Sequence, residues 1–300
     1  MVDAQVSMSR AYLFLPLASA VLYAFSAIAI KRSIDLGMGP WRMTFLSNLF
    51  MLAIFGSTWF WHEGSAWPET WWPPVLSGFL FFVGQIFTFL SLTRGDVSIA
   101  TPVLGTKVIL VAVFLWVLLG ERVAASVWVA AVLATLGIAL LQWGSPVQHR
   151  DRTGRTVLLA FCSAAAFALG DIVVQRWCPV LGFGWFMPIS SSVTMLLSFF
   201  LIPYFNGPLW KWPEGSVAFI WLGLGLLALQ ALGMAVSIGI YGDAAGTNIV
   251  YASRGLWTVL LIWWVGHWFA NQEREQGAGT MVTRLLGAVF IMSAVILIFA

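Results

Sequence analysis

The chain has 300 residues, of which 60% are hydrophobic and only 9% are Asp, Glu, Lys or Arg, and its mean hydropathy is +0.91. A globular surface uses charge on about 25% of residues, so 15 basic and 12 acidic side chains cannot cover a soluble fold of this length. A net charge of +3 without a large Lys/Arg cluster excludes nucleic-acid binding. Cys162 and Cys178 lie in one apolar segment, about 24 Å apart on a helix, too far for a disulfide. The solvent this sequence suits is lipid.

A helix crosses the hydrocarbon core with about 20 apolar residues. Taken in chain order, segments of that kind fall at 11–30, 43–61, 72–93, 97–119, 124–143, 156–175, 183–203, 216–240, 245–269 and 281–299. The first reads as a span and not as a cleaved leader, because its apolar run is long and Lys31-Arg32 follow it. Tryptophans favour segment ends (Trp41, Trp59, Trp61, Trp71, Trp72, Trp185, Trp210, Trp212, Trp268), as an interfacial belt requires. Loops after odd-numbered spans carry ten basic residues and those on the other side three, Arg10, Arg122 and Arg176. By the positive-inside rule that places both termini outside.

The chain repeats itself. Residues 95–107, GDVSIATPVLGTK, align without a gap on 242–254, GDAAGTNIVYASR, so that Thr106-Lys107 match Ser253-Arg254. A weaker echo pairs LGMG at 36–39 with LGFG at 181–184, each followed by Trp-x-Met. Five spans per copy form two repeats, 1–147 and 148–300, and an odd span number forces the second copy to insert inverted. The expected fold class is an all-α integral membrane protein of ten transmembrane helices in two inverted five-helix repeats, a construction that holds substrate near the midplane between the halves.

The stretch ATPVLGTKVILVAVFLWVLLGERV, with Pro102 early in span 4 and Leu119-Gly120-Glu121 closing it, and WVAAVLATLGIALL after it, resemble the drug/metabolite transporter superfamily, EamA type. The second half departs from that pattern, with Gly266-His267 in place of Gly120-Glu121. The resemblance implies a ten-helix secondary transporter in the cell (inner) membrane, with both termini in the cytoplasm, opposite to the charge count. It also extends to the plastid phosphate translocators of the same superfamily, which hold a sugar phosphate with basic residues on the same two helices. That likeness reaches only Lys107 and Arg254 and implies an anionic substrate.

Three charged side chains fall well inside spans: Lys107, Asp171 and Arg254. Lys107 lies about 15 Å from either end of span 4, beyond the reach of snorkelling, and Arg254 is its counterpart in span 9. Intramembrane charges face polar cavities and mark substrate paths; one carboxylate cannot neutralise two cations. Arg offers a planar fork for carboxylate or phosphate, and Lys a point charge. Thr106 and Ser253 add hydroxyls beside the cations. Trp257 follows Arg254 by three residues on one helical face, either lining the cavity or packing. Asp171 is a charge partner for one cation, a proton carrier or a contact for a substrate ammonium, or else pairs with Arg176. Gln85 in span 3 and Gln230 in span 8 need either a cavity or a helix–helix partner. Weaker candidates are Tyr23, Ser26, Asn48, Asn248 and Tyr251. Asp96 and Asp243 read as N-caps of spans 4 and 9, and Pro102 as a bend in span 4.

The expectation is alternating-access transport of a small carboxylate, phosphate or sulfonate, with spans 3, 4, 8 and 9 lining the path. The alternatives are an exporter of amino acids or hydrophobic metabolites and, remotely, a membrane-embedded lipid-modifying enzyme. The enzyme reading lacks paired in-span carboxylates, a phosphate loop, or metal-spaced Cys/His, since His62, His149 and His267 are scattered. No cofactor or metal is expected. The expected partners are the small-molecule substrate and membrane lipid, with the protein a monomer or homodimer.

Overall fold

A computed structural model describes residues 10–61, 70–94, 97–141, 153–265 and 278–300. With no water in the bilayer to satisfy peptide groups, apolar segments of this length bond their backbone internally as helix, and every regular element among the described residues is helical. We label them α1 (Phe14–Asp35), α2 (Pro40–Ser57), α3 (Trp72–Arg94), α4a (Val97–Gly105), α4b (Lys107–Leu119), α5 (Ala125–Leu141), α6 (Thr153–Leu181), α7 (Phe183–Ser198), α8 (Val217–Gly239), α9a (Ala244–Tyr251), α9b (Arg254–Val265) and α10 (Ala278–Phe299). Short 3₁₀ turns extend α1 at its start and α2 and α7 at their ends. Eight spans are long and apolar enough to cross a membrane; α5 is a shorter apolar helix, and the ninth span is divided at Ala252-Ser253. Each of the ten predicted segments holds helix among the described residues.

Span ends differ where charges interrupted the apolar count. Helix α1 continues through Lys31 and Arg32 to Asp35, and α6 continues through Arg176 to Leu181. Charges in a terminal turn reach the interface and need not end a helix. Glycine ends several helices instead: Gly37, Gly120 and Gly182 have φ of 104°, 68° and 82°. Gly120 is the clearest case. It caps α4b in the left-handed region, and the Glu121 N–H reaches back to the Leu115 carbonyl at 3.1 Å, the bond pattern of a helix stop that glycine makes without steric cost. The Leu-Gly-Glu motif is therefore a stop signal.

Arg42, expected in a loop, is a correction. It lies buried in the first turn of α2, where Nη2 donates to the Lys211 carbonyl at 2.9 Å. Together with the Asn206 amide, which receives the Gly39 N–H and donates to the Gly37 carbonyl, it ties the 1–2 and 7–8 connections together.

The helix contacts have a simple rule. α1 packs on α8 and α3 on α6; α3 packs on α7 and α2 on α8; α4 packs on α6 and α1 on α9; α2 meets α7 and α5 meets α10. Shifting every helix number by five maps these pairs onto one another, whereas the smaller α6–α8 and α5–α9 contacts have no such counterpart of similar size. Close approaches rely on small residues, since lipid provides no hydrophobic drive for helices to associate. At the α5–α10 contact a Cβ on Gly137 would lie 2.8 Å from the Gly287 carbonyl, and one on Gly287 would lie 2.7 Å from that of Gly137. Hydroxyls bond across other contacts, Ser26 to the Gly223 carbonyl at 2.7 Å and Thr194 to that of Gly78 at 2.9 Å.

Spans 4 and 9 tighten at matching points. The Thr106 N–H bonds the Val103 carbonyl at 3.0 Å and the Ser253 N–H bonds the Val250 carbonyl at 3.1 Å, each an i to i−3 bond of the 3₁₀ kind. The next helical segments begin with Lys107 and Arg254. Pro102 sits inside α4a, and the tightening comes four residues later.

Candidate substrate-binding site

The two cations at these tightened points have different surroundings. Lys107 Nζ lies 2.8 Å from Asp171 Oδ2, the lysine side chain 21% exposed and the aspartate 5%. The Asn248 amide donates to the same oxygen at 2.7 Å and to the Ala244 carbonyl at 2.8 Å. Phe167, one turn before Asp171 on α6, lies under the ammonium at 5.7 Å. Asp171 is thus held by spans 4 and 9. Arg176 sits over the Trp177 ring at 5.6 Å, and Asp171 lies ten residues before the end of α6, deeper than the predicted span end implied.

Among the described residues no carboxylate meets Arg254. Its guanidinium lies 4.5 Å from the Tyr251 ring centre and 5.1 Å from that of Tyr23. The two rings pack edge to face, with centres 6.0 Å apart. Each such contact contributes about 0.5–2 kcal/mol, and neither ring supplies a negative charge. Two tyrosines also cannot engage all five guanidinium N–H donors. Trp257 and Met234 complete this wall with Ala20. Asn248 and Tyr251 stand three apart on α9a, so one helical face carries both the residue that holds Asp171 and a ring that covers Arg254.

Three polar atoms on spans 8 and 9 are buried with no partner among the described residues: Ser253 Oγ, Gln230 Oε1 and Trp257 Nε1. Ser253 adjoins Arg254 in sequence, Trp257 follows it by one turn, and Gln230 lies one turn before Met234 on α8. Thr106, the counterpart of Ser253, instead spends its hydroxyl on the Val103 carbonyl at 2.7 Å. An orphaned buried polar group costs roughly 1–3 kcal/mol, and these three stand on the two spans that also carry Arg254 and Met234.

Gln85 goes elsewhere. It exchanges two 2.9 Å hydrogen bonds with Asn48, whose amide also donates to Ser198 Oγ at 2.6 Å. That is helix–helix bonding between spans 2, 3 and 7, with the Gln85 amide spent on it. The structure brings together Tyr23, Trp257, Tyr251 and Arg254, and separately Lys107, Asp171 and Asn248. Span 1 enters the site through Tyr23, and span 6 through Asp171.

Sequence reasoning missed Gln175. Its carbonyl oxygen accepts the Ala244 N–H at 2.8 Å, and its amide donates to Glu121 at 3.2 Å. It joins spans 4, 6 and 9 at the end of the bundle where α1 begins. Tyr12 adds to that end by donating to Asp243 Oδ2 at 2.6 Å and stacking on Tyr241 at 4.8 Å. Asp243 also caps α9a as expected, accepting the Gly246 N–H at 2.8 Å. Nothing in the run VVQRW marks Gln175, because its partners come from two distant turns. Asp96, Gly266-His267 and the three histidines lie outside the described residues. Among the described residues no group of three His, Cys, Asp or Glu gathers as a metal site requires.

Residues 10–143 match the EamA-like transporter family, which bears out the resemblance read from the sequence. No curated protein matches the chain. A known crystal structure shares the fold, with a TM-score of 0.71 at 17% identity over 95% of this chain and 97% of that one. The helices have the length and composition of a multi-pass membrane protein, and the first half is similar to a transporter family.

Proposed function

We propose, with the EamA-like match over residues 10–143 as premise, that the chain is a secondary transporter carrying a small organic anion across the cell membrane. The observation that carries this reading is Arg254, an intramembrane guanidinium covered by two tyrosine rings and lacking a carboxylate among the described residues. Lys107, Asp171 and Arg254 together leave one positive charge, and such a charge is stable in lipid when a substrate anion or water-filled cavity meets it. Guanidinium geometry suits carboxylate and phosphate oxygens.

The symmetric exchange of helix contacts and the matched tightening at Thr106 and Ser253 support two five-helix repeats divided near residue 147. In alternating access one repeat rocks against the other around the fixed site. The bonds of Tyr12, Asp243, Gln175 and Glu121 lie at one end of the path, and opening that end requires them to break. No enzymatic chemistry is proposed.

The test is thermal unfolding of the purified protein against carboxylated, phosphorylated and sulfonated metabolites, with matched amines as controls. Anions raise the midpoint of the wild-type protein and not of Arg254→Ala or Lys107→Ala. Stabilisation by amines alone would overturn the anion reading.

A further inference from the structure

We propose that the site takes a monoanion with a neutral hydrogen-bond donor beside its carboxylate and an apolar body, in preference to a dianion or a zwitterion. This rests on the anion reading above and narrows it.

The charge count decides the first part. Lys107 is matched to Asp171 at 2.8 Å, and the aspartate oxygen is further engaged by Asn248. Of the three charges deep in the spans, Arg254 alone has no oppositely charged partner among the described residues. One carboxylate brings the site to neutrality. A second negative charge would have to remain unpaired in a low-dielectric site or pull Lys107 from a buried aspartate, and either is unfavourable. A zwitterion fails for the complementary reason. Its ammonium needs an anionic acceptor, and Asp171 is already committed to Lys107 and Asn248.

The orphaned atoms decide the second part. Ser253 Oγ and Trp257 Nε1, on the residue before Arg254 and one turn after it, are unpartnered donors of the kind that suits carboxylate oxygens. Gln230 Oε1 is an acceptor on a residue only 7% exposed, and it requires an O–H or N–H from the ligand. Ala20, Met234 and the rings of Tyr23, Tyr251 and Trp257 leave an apolar wall for the rest of the molecule. The two repeats differ at this very point, because the hydroxyl of Thr106 is spent on its own helix and that of Ser253 is not. The unmatched cation and the unspent hydroxyl thus both belong to the second half of the chain, while Lys107 of the first half is matched by Asp171 of the second.

A matched set of probes tests this by thermal shift on the full-length purified protein: 3-phenyllactate, 3-phenylpropionate, phenylsuccinate and phenylalanine. The expected order places phenyllactate first. Phenylpropionate, lacking the hydroxyl, binds about 3–10-fold more weakly, and phenylsuccinate and phenylalanine about tenfold more weakly. Asp171→Asn frees Lys107 and moves the preference toward phenylsuccinate by about tenfold, and Gln230→Leu removes the advantage of the hydroxyl. If phenylsuccinate bound tightest in the wild-type protein and lost that affinity in Arg254→Ala, the monoanion count would fall while the anion reading stood. Tighter binding of phenylalanine, or no binding of any of the four acids, would overturn the inference. Should Asp171→Asn fail to fold, the wild-type series alone still decides it.

Discussion

Breaking the Lys107–Asp171 pair from either side should destabilise the protein unequally, and breaking both sides should restore most of the loss. Removing one partner of a buried ion pair costs about 3–5 kcal/mol, because the other charge is left without compensation. The aspartate side chain is 5% exposed and the lysine 21%, so the stranded carboxylate suffers more than the stranded ammonium. Lys107→Met therefore falls at the upper end of that range. Asp171→Leu falls at the lower end, because Lys107 retains Phe167 and its side chain is 21% exposed. In the double variant no charge is stranded, and the cost drops to about 1 kcal/mol or below. With about 2–4 °C of midpoint per kcal/mol, the single variants unfold roughly 6–20 °C lower and the double variant within a few degrees of wild type. Thermal unfolding in one detergent, with all four proteins side by side, measures the cycle. Additive losses would refute the reasoning, since they would mean that the two side chains do not meet in the membrane.

Other substitutions test the packing. Gly120→Ala forces a left-handed residue at φ 68° and should cost about 1 kcal/mol, seen as a midpoint a few degrees lower. Gly137→Leu meets Ile291 and the Gly287 carbonyl on α10 and should lower folded yield in gel filtration by separating spans 5 and 10. Asn48→Leu leaves the Gln85 amide without its partner and should cost about 1–3 kcal/mol, with Asn48→Leu/Gln85→Leu recovering part of it. Tyr12→Phe removes a charge-assisted bond to Asp243 and should lower the midpoint by about 1.5–3 kcal/mol equivalent; no change would show that the bond does not hold that end of the bundle.

Much of the fold was readable in the sequence because lipid simplifies the problem. Apolar length sets the spans, and the offset between residues 95–107 and 242–254 identifies Lys107 and Arg254 as counterparts before any contact is known. The limits of that reading also have physical causes. Lys31, Arg32 and Arg176 look like helix ends because periodicity cannot tell a charge at the interface from one in a loop. Arg42 is buried by a carbonyl from the 7–8 connection, 169 residues away, which no local pattern reveals. Gln85 and Gln230 look alike in sequence, yet Gln85 finds Asn48 on a neighbouring span and Gln230 leaves its oxygen without a partner. The division of labour between the cations is likewise a tertiary fact. Asp171 chooses Lys107 over Arg176 and Arg254 through the placement of α6 against α4b and Asn248.

The central claim is that Arg254 is the anion-binding charge of a transport site. Its most direct test is uptake of radiolabelled 3-phenyllactate into liposomes containing purified wild-type or Arg254→Gln protein at matched, correctly folded density. The wild-type protein should transport the acid, and Arg254→Gln should lose at least about 90% of that rate, the change expected from about 1.4 kcal/mol or more of lost interaction. Equal uptake by the two proteins would contradict the claim.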